Sequence, residues 1–327
     1  MTAREEEKNM KRLENVGMAQ TWTCYAGALY GSLKAAGMWG GDLDTLMGET
    51  GILFQFIMAD DCCPSGVTVY NWKENHYAMA DRIGIANDVL VVHKEPQWNT
   101  FEAAQELAVV RIKESIDRGV APIVWAPTPL LEFGLISGYD DDEHILYPVH
   151  CLPNEPDPTL YENFALSEVP IIHVQSFYKK CEYDREKTVR NSLRFGVEHW
   201  NSDSHVTPNY GSGKKAWENM ISALERKSFS EFGLTYCMNV YAESKRRLPA
   251  FLSQVAGIAD YFAPLKEASA LYSDVSAQTE SMAKTLPFDG PESTVKEEDV
   301  PALLESAKRA YEIETKAMVI IEQTLET

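Results

Sequence analysis

The chain has 327 residues, of which 45% are hydrophobic and 24% are charged, and its net charge is −19 at pH 7. This composition is ordinary for a globular protein, and the length leaves room for one large domain or two. The strong negative charge argues against nucleic acid and against an anionic membrane surface as partners, because both repel an acidic protein.

The termini and the cysteines bear on location. The charged segment from Arg4 to Lys8 does not have the pattern of a signal peptide, and no apolar run approaches the roughly twenty residues that a membrane helix needs. Six cysteines in a chain of this length, without a short-repeat framework, indicate reduced thiols. We therefore expect a cytoplasmic protein with no membrane association.

The first predicted element is a helix that begins at a cysteine. Apolar residues recur at three- and four-residue steps between a candidate N-cap, Thr23, and a candidate stop, Gly37. Cys24 then lies on the first turn, where the helix dipole and free N–H groups favour a thiolate. Gln20 is placed to offer its amide to a developing oxyanion. The alternative is that Cys24 only fills space in the core, as most helical cysteines do.

Helices come first in the next part of the chain and strands later. The predicted helices cover residues 42–47, 71–83 and 100–118. The predicted strands cover residues 52–56, 89–93, 122–125, 133–137, 145–149 and 171–175. This order indicates an α+β fold with antiparallel strands rather than repeated βαβ units.

The character of the sequence changes near residue 180, after which all predicted elements are helical. These helices cover residues 189–200, 213–224, 233–256, 258–283 and 301–325. In the last one, Pro301 stands at the first helical position, and Leu304, Ala307 and Tyr311 lie on the face predicted to be buried. We predict an α+β domain at 1–180 and a helical domain at 181–327.

The order of these elements resembles the family built on the N-terminal domain of the butirosin biosynthesis H protein, whose members are similar to papain-type and bacteriocin-processing cysteine peptidases. The residues that carry the resemblance are Cys24 with its helix, the segments 48–56, 133–142 and 145–148, Tyr210, Gly213, Trp217, and the segment 247–256. The resemblance implies a papain-like cysteine peptidase-type domain followed by a helical domain.

The resemblance also implies that Cys24 carries or cleaves an acyl group with a histidine as base and an Asp or Asn that orients the histidine. In the peptidase pattern the histidine precedes the Gly-Tyr turn by six residues, and this chain has Glu132 there; the orienting position falls near Tyr147. A buried Glu132 could serve as the base, or it is an exposed acid at the start of a strand. His144 or His150 reaches Cys24 only if the strand register differs.

Five aromatic residues are candidates for an apolar pocket around Cys24, although aromatic side chains are equally at home in an ordinary core. They are Trp22, Phe54, Trp72, Trp125 and Tyr139. The Gly211–Lys214 stretch lacks the full spacing of a phosphate loop, and the histidines lack a partner set for a metal. The sequence therefore predicts no cofactor and no metal.

The leading functional prediction is a cysteine-dependent hydrolase or acyltransferase that acts on a small-molecule thioester, ester or amide. An alternative is a catalytically degenerate papain-like protein that binds a small molecule or peptide. A third possibility is a helical interaction protein whose C-terminal helices form a homodimer.

Overall fold

The computed structural model describes residues 9–202 and 207–326, so the segment from Arg4 to Lys8 lies outside the described residues. The fold is mixed α and β, and it divides into two compact units. One unit contains the residues up to Leu43 together with Trp72–Glu182, and the other contains Asp44–Asn71 together with the residues from Tyr183 onward. The predicted boundary near residue 180 lies close to the junction at residues 182 and 183. Residues 44–71, which the prediction assigns to the first domain, belong to the second unit. Among the described helices, none is long and apolar enough to cross a membrane.

The elements of the described residues follow in chain order. The strands are β1 (Met10–Arg12), β2 (Ile57–Ala59), β3 (Ile85–His93), β4 (Ile123–Trp125), β5 (Phe133–Asp140), β6 (Ile145–Val149), β7 (Thr159–Leu160), β8 (Ile171–Lys180) and β9 (Tyr210–Ser212). The α-helices are α1 (Cys24–Ala35), α2 (Leu43–Thr50), α3 (Trp72–Arg82), α4 (Phe101–Asp117), α5 (Arg185–Asn201), α6 (Lys214–Arg226), α7 (Glu231–Val255), α8 (Leu265–Thr285) and α9 (Val300–Glu326).

The first unit is built on an antiparallel sheet with the strand order β3-β8-β4-β5-β6-β7. Strand β1 also pairs with β5, at residues 138–140, so β5 continues three residues beyond the predicted strand end at residue 137. The apolar stripe of α4 covers the sheet, with Ala108, Ile112 and Ile116 in one core with Ile136 of β5. The α+β prediction is confirmed for this unit.

Helix α1 has the bounds that its local signals predict. It begins directly after Thr23, although the hydroxyl of Thr23 makes no capping hydrogen bond, and it ends before Gly37, which has a φ of +66°. A Cβ atom on Gly31 would lie 1.9 Å from the carbonyl oxygen of Gly17. The absence of a side chain at Gly31 therefore lets the backbone at Gly17 pack directly against the second half of α1.

The strand predicted at 52–56 is wrong. Gly51 takes a left-handed turn with a φ of +88°, Ile52–Phe54 then form a 3₁₀ helix, and the strand itself is β2, from Ile57 to Ala59. A short, mostly apolar run such as 52–56 has no clear alternation that separates a buried strand from a buried helical turn. The segment does lie in the core, as predicted, but its backbone conformation depends on the residues that pack around it.

The second unit is mostly helical, with one short pairing of β2 and β9. One residue from each of four helices meets in its interior. Lys245 of α7 forms an ion pair with Glu314 of α9, and the same carboxylate accepts hydrogen bonds from Trp217 Nε1 of α6 at 2.9 Å and Tyr272 OH of α8 at 3.0 Å. Because Lys245 and Glu314 are buried and bonded to each other, and Glu314 also accepts from the other two helices, this network favours one arrangement of the four helices.

Candidate active site

Cys24 lies at the first turn of α1, against the start of β5. Its Sγ accepts a hydrogen bond from the backbone N–H of Phe133 at 3.3 Å, and the residue is only 8% exposed. The helix and the strand therefore meet where the resemblance implies that a nucleophile and its base would meet. The thiol is enclosed rather than open to a cleft.

Enclosure decides the protonation of this thiol. Burial, and after it the negative charge of Glu132, raises the pKa of Cys24 to about 12, although the N–H groups of Phe133 and Tyr25 act to lower it. The sequence predicts the opposite direction from the helix dipole alone. Desolvation of the charged form outweighs the dipole here, so Cys24 is a neutral thiol at neutral pH.

The carboxylate predicted as a base bonds to a different cysteine. Glu132 Oε2 accepts a hydrogen bond from Cys151 Sγ at 3.1 Å, and burial together with this hydrogen bond raises the pKa of Cys151 to about 12. The side-chain amide of Gln20 donates to the carbonyl oxygen of Cys151 at 3.0 Å, so it is already engaged. The structure thus brings Gln20, Glu132 and Cys24 into one neighbourhood with Cys151, a residue to which the sequence assigned no role.

Two further histidines lie beneath the start of α1. His76 Nδ1 and His173 Nε2 are 2.9 Å apart, both residues are fully buried, and the ring of Tyr25 stacks on His76 with 3.7 Å between centroids. Burial lowers the pKa of His173 to about 3, and burial and then the His173 charge lower the pKa of His76 well below its ordinary value. Both rings are neutral at physiological pH. Nothing local signals this pair, because 97 residues separate its members.

The sulfur of Cys24 has no imidazole partner in the part of the chain that the structure describes. Its hydrogen bonds there come from backbone N–H groups, those of Phe133 and Tyr25. His150 is engaged elsewhere, since its Nε2 is 2.8 Å from the carbonyl oxygen of Asn154. The proton acceptor that thiol catalysis normally requires is therefore missing from these contacts.

Two of the five predicted pocket aromatics meet beside Cys24. The rings of Trp72 and Trp125 are 4.8 Å apart, and both contact Phe133 edge-on, with centroids at 4.9 and 5.0 Å. All three are buried, so they form a packed aromatic core behind the cysteine rather than an open wall.

The other three candidates are placed elsewhere. Trp22 is 37% exposed. Phe54 belongs to the second unit, where it packs against Gly196. Tyr139 stands six residues beyond the start of β5, about 20 Å along the strand, and its hydroxyl donates to Asp117 Oδ1 at 3.0 Å. These three aromatic residues therefore do not form a pocket around Cys24.

The first unit also contains a cavity of about 690 Å³ that the sequence did not predict. Three loops line it: residues 126–130 between β4 and β5, residues around 150–160 after β6, and residues 163–168 before β8. The cavity adjoins the Cys24 neighbourhood, because Ala126 N–H donates to the carbonyl of Glu132 at 2.8 Å and His150 precedes Cys151. None of the predicted pocket aromatics lines it.

Comparison of the sequence with protein-family models gave no match, and comparison with curated proteins gave no significant match. Within the described ranges, no group of three or more His, Cys, Asp or Glu side chains is placed to hold a metal ion. The features that bear on function are therefore the geometry around Cys24 and the adjoining cavity.

Proposed function

We propose that the first unit is a catalytically degenerate papain-like domain, related to the butirosin H-like family, that binds a small molecule or peptide. Support for the scaffold comes from an antiparallel sheet with an N-terminal helix whose first residue is Cys24, set against the start of β5. The binding site is the cavity beside it, whose volume of about 690 Å³ suits a small ligand.

The state of the Cys24 thiol carries this proposal. With a pKa of about 12, only about one molecule in 10⁴ to 10⁵ holds a thiolate at neutral pH, and the thiolate is the reactive form. Among the described contacts, the carboxylate of Glu132 accepts hydrogen bonds from Cys151 and none from Cys24, so it is not placed as a base for Cys24. Binding needs neither a thiolate nor a base.

The test is pulse labelling of the native protein with iodoacetamide, read by mass spectrometry at each cysteine. Cys181 is exposed and should label first, whereas Cys24 should label late, together with the buried Cys237. In parallel, hydrolysis of simple thioesters and esters should be the same for the wild type, Cys24→Ala and the matched variant Cys181→Ala.

One observation favours a second candidate, a cysteine-dependent acyl-group hydrolase or acyltransferase that acts on a small-molecule thioester, ester or amide. The backbone N–H groups of Phe133 and Tyr25 both donate hydrogen bonds to Cys24 Sγ, and such donors stabilise the thiolate form of the cysteine. If Cys24 labels before Cys181, and Cys24→Ala alone abolishes turnover, this enzyme replaces the binding protein as the function.

A further inference from the structure

Strand β3 forms one end of the sheet in the first unit, and its outer side is open. It pairs with β8 on one side, and no strand among the described residues pairs with it on the other. Leu90, Val91 and Val92 are half-buried, whereas residues 171–177 of β8 are buried throughout. The nine residues of β3 include no lysine and no proline, which commonly protect such an edge. An edge of this length and composition is a template for another strand.

The hydrogen-bond pattern shows which residues of β3 face outward. The N–H of Lys94 donates to the carbonyl oxygen of Pro170 at 3.1 Å, so Lys94 bonds toward β8. Bonding residues alternate along an antiparallel pair, so Val89, Val91 and His93 direct their N–H and C=O groups away from β8. In the part of the chain that the structure describes, these outward groups have no backbone partner. They are the groups that an added strand would bond.

A bulge and a side chain close the upstream part of this edge. The register with β8 shifts between Ala86 and Asn87, and the side-chain amide of Asn87 donates to the carbonyl oxygen of Ile85 at 3.1 Å. A bulge twists an edge away from further pairing, and the amide occupies an acceptor that another strand would need. The stretch that is open to pairing is therefore residues 88–94.

This open stretch is complementary to itself. When two copies lie antiparallel with a two-fold axis at Val91, Val91 faces its equivalent and Val89 faces His93 of the second copy, so every outward N–H meets a C=O. In the same register Asp88 lies opposite Lys94 of the second copy. Moving the axis by one residue in either direction places both charges opposite uncharged residues. Opposite charges on facing residues favour the register centred on Val91.

The face of β3 that lies under α4 would continue from one copy into the other. Leu90 and Val92 pack against the core that α4 covers, and Arg111 of α4 donates to Asp88 at 3.0 Å. In the register centred on Val91, Leu90 lies opposite Val92 of the second copy, so the ion pairs flank a row of aliphatic side chains. Leu107, one turn before Arg111 on α4, is 45% exposed and lies at the rim of this surface.

We propose that two copies of this chain associate through β3 and form one continuous antiparallel sheet across a two-fold axis at Val91. The second copy is the occupant of the edge because its own sequence supplies the matching hydrogen-bond groups and the opposite charges. The surface shares no residue with the cavity or with the contacts of Cys24. The proposal therefore goes beyond the proposed binding function and does not rest on it.

The test is sedimentation velocity of the full chain from micromolar to hundred-micromolar concentration. Salt at about 0.15 M screens the repulsion between two chains of net charge −19. The wild type should form a reversible dimer. Val91→Pro removes an outward N–H that the monomer does not use, so its melting temperature should stay near that of the wild type and the dimer should be lost. Lys94→Glu should weaken the dimer about tenfold, because two attractions become repulsions. Lys266→Glu, the same charge change at an exposed position on α8, should leave it intact.

A cysteine at the axis tests the register. In a Cys181→Ser background, which removes the exposed native thiol, Val91→Cys should cross-link two copies when diamide is added as oxidant. His93→Cys should not, because the two sulfurs would lie about four residues, or about 13 Å, apart along the strands. Cross-linking at His93→Cys but not at Val91→Cys would overturn the register. A chain that stays monomeric throughout, or a dimer that neither Val91→Pro nor Lys94→Glu weakens, would overturn the proposal.

Discussion

Acid should destabilise the protein through the buried pair His76 and His173. In the unfolded chain a histidine titrates near its ordinary pKa of 6.5, whereas burial lowers the pKa of His173 to about 3 in the folded state. Between these two values the unfolded chain binds a proton that the folded chain does not, so stability falls as the pH drops through this window. Above about pH 7 both states are neutral and the pair has no such effect.

The size of the effect follows from the width of the window. Each pH unit below the unfolded pKa costs about 1.4 kcal/mol per histidine until the folded pKa is reached. From about pH 7 to about pH 4.5, His173 alone therefore costs about 2.5 kcal/mol. The pKa of His76 is lowered in the same direction, by burial and then by His173, so this figure is a lower bound for the pair.

The assay is urea denaturation, followed by tryptophan fluorescence, at the two ends of this pH range. His173→Gln keeps a hydrogen-bonding side chain opposite His76 but cannot titrate, so it should lose about 2.5 kcal/mol less than the wild type on acidification. His93→Gln, at an exposed position on β3, should behave as the wild type does. Carboxylates titrate alike in all three proteins and cancel in the comparison. Equal acid sensitivity of the wild type and His173→Gln would refute the reasoning.

Two predictions concern the second unit. Leu303 is 1% exposed, so Leu303→Ala should lower the free energy of unfolding by about 2–4 kcal/mol. Leu304, which the sequence predicts to lie on the buried face, is only half-buried, so Leu304→Ala should lower the free energy of unfolding by less in the same urea titration. Glu314→Ala leaves the charge of Lys245 buried without a partner and should cost about 3–5 kcal/mol in thermal and urea unfolding, whereas replacing both residues by apolar ones should cost less.

Either set of measurements can contradict the structural account. Equal losses for Leu303→Ala and Leu304→Ala would mean that the face of α9 is rotated from the one described. A Glu314→Ala variant as stable as the wild type would mean that water reaches Lys245 and that its charge is not confined in the interior.

Elements whose signals are local could be predicted from the sequence. The bounds of α1 follow from Thr23 and Gly37, and α4 follows from its apolar period between Thr100 and Gly119. The strands β4, β5 and β6 were predicted from apolar runs bounded by turn residues. Each of these signals acts within a few residues of chain, so one sequence contains all of the information that it needs.

The properties of the site depend on residues far apart in the chain. The dipole of α1 is a local feature and predicts a lower pKa for Cys24. Cys24 is, however, buried against Phe133 of β5, which is 109 residues away in the chain, and burial raises the pKa of Cys24 to about 12. Glu132 and His76 also have partners that are distant in sequence: Glu132 bonds to Cys151, 19 residues away, and His76 lies beside His173, 97 residues away. Desolvation is set by everything that surrounds a group. The sequence by itself therefore determined where the thiol stands on its helix, and only the tertiary structure decided whether that thiol carries a charge.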